Sequence, residues 1–161
     1  MPEQEFMVAT PDTSSNSIRL MQADDVEAVH QIEIRAYEFP WTIGIFRECI
    51  RTGYPGWVFL HHGKIAGYGI ISVAAGESHI LNICIDPDFQ RQGYGRRLLS
   101  ALLTASRVLG AGRVFLEVRK SNRNAILMYQ SFGFEEIGIR KRYYRAHGER
   151  EDAIMLARDL V

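Results

Sequence analysis

The stretch from Ile83 to Leu99, ICIDPDFQRQGYGRRLL, constrains this chain more than any other. An apolar run ends at Asp86-Pro87. A loop carrying Gly93 and Gly95 follows, and then Leu98, Leu99, Leu102, Leu103 and Ser106 recur at helical spacing. This reads as a buried strand passing through a loop into a long helix, about Gly95 to Leu109, stopped by Gly110 and Gly112. The first turn of such a helix has unpaired N–H groups and the positive end of the dipole. Glycines let an anion approach the backbone closely. Arg91, Arg96 and Arg97 add positive charge. Together these features point to an anion site, a phosphate or pyrophosphate.

Several readings compete for that loop. A Walker loop is excluded, because no Gly-Lys-Ser/Thr occurs. A dinucleotide fold has Gly93-x-Gly95 and the downstream Glu117 in its favour, but Leu98 stands where its third glycine belongs. In the plain structural reading, the glycines end a loop and the arginines are solvated.

The flanking pattern narrows the fold. A short strand at Ile18–Met21 precedes a helix starting near Asp24 and Asp25, with Val26, Val29, Ile32 and Ala36 on one face. Phe39-Pro40-Trp41 breaks it. A second short helix carries Ile45, Phe46, Cys49 and Ile50 and ends before Gly53. Three β-like runs, Gly56–Leu60, Ile65–Val73 and Ser78–Ile85, are separated by turn residues and predict an antiparallel meander. After the long helix come a strand at Arg113–Val118, a short helix following Asn122, and strands near Glu135–Tyr144 and Asp152–Leu156. The expected fold is α/β with a mixed, mostly antiparallel central sheet and about four helices, joined through a β-α-β crossover.

The 161 residues, 18.4 kDa, suit one domain. Residues 1–16, rich in Ser, Thr and Asp towards their end, are expected to form a loose tail before a single domain at 17–161. Nineteen basic residues balance nineteen acidic ones, which argues against a protein that coats nucleic acid. Cys49 and Cys84 form no disulfide framework, and no Cys/His group has metal-ligand spacing, so no metal is expected. No signal peptide is evident, and the run Ile65–Ala75 is too short to cross a bilayer. The expectation is a cytoplasmic protein with no membrane partner.

Gln90-Arg91-Gln92-Gly93-Tyr94-Gly95 resembles the pyrophosphate loop of the GNAT acyltransferases, which bind acetyl-CoA. The resemblance extends to Asn82–Gln90, to Leu116-Glu117-Val118-Arg119-x-Ser121-Asn122 and to Tyr129-x-x-x-Gly133-Phe134. It also takes in Arg142-Tyr143-Tyr144, Arg35–Thr42 and Glu151-Asp152-Ala153. These segments are similar to the bacterial RimI group, and the match runs in order over about residues 18–158. It implies the GNAT acyl-CoA N-acyltransferase fold and transfer of acetyl to the N-terminal alanine of a small-subunit ribosomal protein. The enzyme would act as a monomer or weak oligomer. A GNAT enzyme for a lysine or a small-molecule amine stays open, as does a non-catalytic CoA-binding module.

The resemblance also assigns site residues. Ile83, Cys84, Ile85, Arg91, Gln92, Gly93, Tyr94, Gly95, Arg96 and Asn122 would bind the cofactor, with backbone groups of Ile83 to Ile85 pairing along its arm like an added strand. Asn122 is equally a helix cap. Glu117 would be the proton acceptor and Tyr129 the proton donor to the departing thiolate. An α-amine has a pKa near 8 against about 10.4 for lysine, so a carboxylate acting through water suffices as base. The competing reading of Glu117 is a salt bridge to Arg113 or Arg119; that of Tyr129 is packing alone. Phe39 and Trp41 would wall the acceptor groove, or else plug the core. Tyr143 and Tyr144 are expected to face opposite ways on a strand, one towards substrate. The run Arg140, Lys141, Arg142 and Arg145 reads as a solvated edge. Glu38, Glu149, Glu151 and Asp152 are candidates to receive a basic peptide, and no chemistry is assigned to the five histidines.

Overall fold

A computed structural model describes residues 15–160. Residues 1–14 of the expected tail therefore lie outside the described residues. Asn16, the last residue of that tail, pairs with His61 in β1 (Asn16–Leu20).

The meander forms as its turns require. β2 (Gly56–His61), β3 (Lys64–Ala74) and β4 (Glu77–Ile85) pair antiparallel in sequence order, with β1 outside β2. Alternation from Tyr68 to Ile71 of β3 divides the core in two. Tyr68 and Ile70 face Val26, Val29 and Ile32 of α1 (Val26–Ala36) and Phe46 and Cys49 of α2 (Ile43–Thr52). Gly69 faces the other way, onto α3 (Tyr94–Val108). A Cβ there would stand 2.7 Å from Leu102 Cδ1, so a larger residue would have to push the Leu102 side chain aside. Leu99, Leu102 and Leu103 of α3 then pack on Ile71, Ile80, Val114 and Leu116.

The crossover leads to β5 (Arg113–Arg119), which lies parallel to β4. α4 (Arg123–Ser131) follows, and then β6 (Glu135–Tyr144) and β7 (Glu151–Asp159). The final strand inserts between β5 and β6, giving the order β1-β2-β3-β4-β5-β7-β6. β6 is therefore an edge, and Arg140, Lys141 and Arg142 on it are exposed, as the sequence suggested.

Candidate active site

The site begins where the sheet parts. β4 and β5 pair only over Glu77–His79 and Arg113–Phe115. Beyond that, β4 stays with β3 as far as Ile85, and β5 stays with β7 as far as Arg119. Each strand keeps one partner, so the facing edges separate. The Asp86 N–H donates to Ala66 O of β3 at 2.8 Å. Antiparallel alternation then sends the N–H and C=O groups of Ile83 and Ile85 to the open side. There the Tyr37 hydroxyl donates to Ile83 O at 3.1 Å, and Gln90 Nε2 donates to Ile85 O at 3.1 Å. The two N–H groups face the opening.

Two cavities, of about 540 and 760 Å³, occupy this opening from opposite ends. Tyr37, Ile83, Asn122 and Tyr129 line both. The place where the cavities meet is where two molecules bound in them would touch.

The larger cavity is built by local sequence. Asp86 accepts from the Asp88 N–H at 2.9 Å, which folds Pro87–Phe89 into a 3-10 turn. Arg35 clamps Asp86 from α1 with contacts of 3.0 and 2.5 Å. Burial by itself would raise the Asp86 carboxyl, but the Arg35 guanidinium and the Asp88 amide hold it below the usual carboxylate range. Gly93 takes φ 79 and starts α3, while Arg91 takes φ 63. Arg91, Gly93, Tyr94, Gly95 and Arg96 line the cavity, and Gln90 lines it where Gln92 does not. The Tyr94 side chain turns away into the core, its ring 4.5 Å from Phe59 and its hydroxyl 2.7 Å from His61 Nδ1, so this residue offers backbone only. Arg96 bonds Ser131 Oγ at 2.9 Å and lies over Phe132, tying α3 to α4. Asn122 Oδ1 caps α4 by accepting from the Ala125 N–H at 3.3 Å while lining both cavities, so its two readings coexist. Burial pushes the Cys84 thiol up to about 12, so it stays protonated at neutral pH and is no nucleophile.

The smaller cavity is built by side chains from distant elements. Val114, Leu116 and Val118 are buried, which leaves Glu117 on the open face. Its partners are neither Arg113, which pairs with Asp159, nor Arg119, which pairs with Glu151. Glu117 Oε2 stands 2.5 Å from His79 Nε2, and its Oε1 stands 3.9 Å from Arg140. The hydrogen bond from His79, with the added charge of Arg140, holds the carboxyl below its usual range against the opposing effect of burial. Tyr129 is buried with its ring edge-on to Phe134, and burial raises its hydroxyl well above the ordinary tyrosine value. It therefore stays protonated throughout the neutral range.

Phe39, Trp41, Tyr143 and Tyr144 all line the same cavity. The expectation that the two tyrosines face opposite ways fails. Arg142 takes φ 54 and the β6–β7 register shifts between Arg140 and Tyr144, so alternation is lost and the rings meet edge-on at 4.9 Å. Arg119 stacks over Tyr144 at 4.5 Å and over Phe39 at 5.6 Å, joining the two walls. Three of the four acidic residues expected to receive a peptide are engaged elsewhere. Glu151 accepts from the Ser121 N–H, Asp152 accepts from the Arg142 N–H, and Glu38 pairs with His147.

Among the residues of this cavity that the sequence did not single out, two make the strongest contacts. Glu33 is only 2% exposed, and its carboxylate accepts from Tyr68 Oη at 2.5 Å, Asn82 Nδ2 at 2.9 Å and the Trp41 N–H at 3.0 Å. It fastens the Phe39–Trp41 loop to the sheet. A signal was present: Glu33 follows Val29 by four positions on the apolar face of α1. His79 had no such signal. In the ladder it lies opposite Phe115, and Glu117 is the next residue on that face of β5, where the strands begin to part. Among the described residues, no group of three or more His, Cys, Asp or Glu side chains is arranged to hold a metal.

The mixed sheet is thus splayed, with a glycine-started helix at one end of the gap and the Glu117 carboxylate and Tyr129 hydroxyl further along it. The chain belongs to the acetyltransferase (GNAT) family, whose model matches residues 26–134. It is 40% identical over 142 residues to the [ribosomal protein bS18]-alanine N-acetyltransferase of Escherichia coli K12, covering 88% of this chain and 96% of that protein. The crystal structure of the ribosomal-protein-S18-alanine N-acetyltransferase from Escherichia coli aligns with a TM-score of 0.86 at 39% identity, covering 91% of this chain and 94% of that one. Ard1 from Thermoplasma volcanium aligns with a TM-score of 0.83 at 26% identity, covering 91% and 98%.

Proposed function

We propose that this protein transfers acetyl from acetyl-CoA to the α-amine of the N-terminal alanine of ribosomal protein bS18. The observation that carries the reading is the meeting of two cavities at Tyr37, Ile83, Asn122 and Tyr129, in a chain so similar to the Escherichia coli enzyme. The residues present suit acetyl-CoA. The first turn of α3 offers unpaired N–H groups, and Gly93 and Gly95 leave the approach open. Arg91 and Arg96 supply charge for a pyrophosphate. The free edge of β4 offers backbone groups to a chain of amides.

Acetyl-CoA supplies the activated acetyl group. The N–H groups of Ile83 and Ile85 are the donors available to polarise its carbonyl. Deprotonation of the incoming ammonium belongs to the Glu117 end of the cleft. Tyr129, held protonated by burial, gives its proton to the departing sulfur. Phe39, Trp41, Tyr143 and Tyr144 wall the channel along which the peptide N-terminus reaches this point.

The test is mass spectrometry of an alanine-initiated bS18 peptide after incubation with the protein and acetyl-CoA. The same peptide with its α-amine blocked and a free lysine runs beside it. Gain of one acetyl on the free peptide alone is the expected result. Gain on the blocked peptide moves the acceptor to lysine, and no gain on either leaves a small amine or a binding-only role.

A further inference from the structure

Glu117 poses a difficulty as a lone base. His79 and Arg140 both stabilise its ionised form, so it is a weaker proton acceptor than an ordinary carboxylate. The ammonium it would have to deprotonate has a pKa near 8. An imidazole, with a reference pKa of about 6.5, is much better matched, and one lies in contact with Glu117.

We infer that the proton lost by the acceptor amine comes to rest on His79, with Glu117 as the carboxylate that orients and stabilises the ring. This rests on the acetyl-transfer reading above and deepens it. Glu117 Oε2 lies 2.5 Å from His79 Nε2, a contact an ionised carboxylate makes only with an N–H. Nε2 therefore carries the hydrogen, and in the neutral ring the lone pair is on Nδ1. His79 and Glu117 both line the acceptor cavity. The His79 side chain is 38% exposed against 13% for Glu117, so the ring is also the member of the pair with a route to solvent. The arrangement matches the logic of a histidine base held in one tautomer by a carboxylate.

The proton count closes. One proton passes from the ammonium to Nδ1, directly or through one water, and then to solvent. The amine nitrogen bonds the acetyl carbon and the carbon–sulfur bond breaks, its electron pair leaving with the sulfur. The second amine proton is lost as the new amide forms, and Tyr129 delivers one to the sulfur and recovers its own. The net release is one proton per acetyl group transferred.

Charged groups surround the pair, with Glu33, Arg119, Arg145 and Arg150 lining the same cavity. Arg140 from β6 stands 3.9 Å from Glu117 Oε1 and keeps the carboxylate ionised. Tyr144, also from β6, is itself raised to about 12, by burial first and then by the Glu117 charge, and stays neutral. In the ladder His79 lies between Ser72 of β3 and Phe115 of β5, which bear no charge.

The experiment follows acetylation of the alanine-initiated bS18 peptide against pH for the wild type, His79→Gln and His79→Ala. His79→Gln keeps an N–H donor for Glu117 but cannot take up a proton. Near pH 6.5 its kcat is expected to fall about a hundredfold, with peptide KM, acetyl-CoA Kd and melting temperature unchanged. The deficit should shrink towards alkaline pH, where the amine is already neutral. Added imidazole should restore part of the His79→Ala rate. A wild type that leaves the peptide unmodified refutes the acceptor and takes the His79 role with it. A wild type that acetylates the peptide while His79→Gln matches its rate near pH 6.5, or while imidazole restores nothing to His79→Ala, overturns the His79 role alone.

Discussion

The two ends of the cleft are made differently. The end that suits the cofactor uses one continuous segment, Ile83 to Arg96, with α4 laid against it. The groups it offers are mainly backbone, namely the open edge of β4, the first turn of α3 and the loop before it, with the charges of Arg91 and Arg96 beside them. The acceptor end draws Glu33 from α1, Trp41 from the loop after it, His79 from β4, Glu117 from β5 and Tyr143 and Tyr144 from β6. Its working groups are side chains. A site made of backbone depends on conformation, which a short motif specifies. A site made of side chains depends on register and strand order, which no local segment contains.

The sharpest way to test this contrast is to remove chemistry from the acceptor end and from the point where the two cavities meet. Glu117→Gln and Tyr129→Phe should each lower kcat about a hundredfold or more, close to 3 kcal/mol of barrier, with acetyl-CoA Kd unchanged. Single-turnover rates and isothermal titration check the two quantities separately. The signs with pH differ. Glu117 is ionised throughout the neutral range because its carboxyl is held low, so acid loss of wild-type activity should follow protonation of the amine rather than of Glu117. The Glu117→Gln defect should be worst at low pH and ease as the amine loses its proton unaided. Loss of acetyl-CoA binding in either variant would mean the two ends are not separable.

Glu33→Ala should come next. It strands the Tyr68 hydroxyl, the Asn82 amide and the Trp41 N–H, for a loss of about 3 kcal/mol of stability. Thermal unfolding measures that loss. Peptide KM should rise while acetyl-CoA Kd holds, because only the Phe39–Trp41 wall is released. An unchanged melting temperature would show that the wall is held by its aromatic contacts instead.

At the cofactor end, Arg91→Ala should weaken acetyl-CoA by about tenfold at low salt and less at high salt, since an exposed charge is screened. A salt-independent loss would point to backbone distortion at φ 63 rather than lost charge. The smallest effect belongs to Cys84→Ser. If Ile83 to Ile85 act through backbone, kcat and acetyl-CoA Kd should stay within about twofold. A large loss of turnover without loss of stability would return the thiol to consideration.

Much of this was legible beforehand. The periodicities of 2 and 3.6 residues and the glycine and proline positions placed every long element within a few residues. The β-α-β unit followed from strand, glycine loop and helix in immediate succession. Glu117 and Tyr129 came from resemblance, and the structure adds their surroundings. What was missed is instructive. Glu33 hid in an apolar stripe that its own position in α1 made visible. The opposed orientation assigned to Tyr143 and Tyr144 assumed unbroken alternation, and the positive φ of Arg142 breaks it.

By itself the sequence determined where the elements lie, the glycine turn that starts α3 and the apolar face that α3 turns to the sheet. These depend on contacts a few residues apart, where dihedral preference and periodicity act directly. Only the tertiary structure decided that β7 lies between β5 and β6, that β4 and β5 part after His79, and that His79 and Arg140 flank Glu117. Those outcomes depend on which strand edges find each other across long stretches of chain. That choice is made by burial of the whole sheet against α1, α2 and α3, and no single segment encodes it.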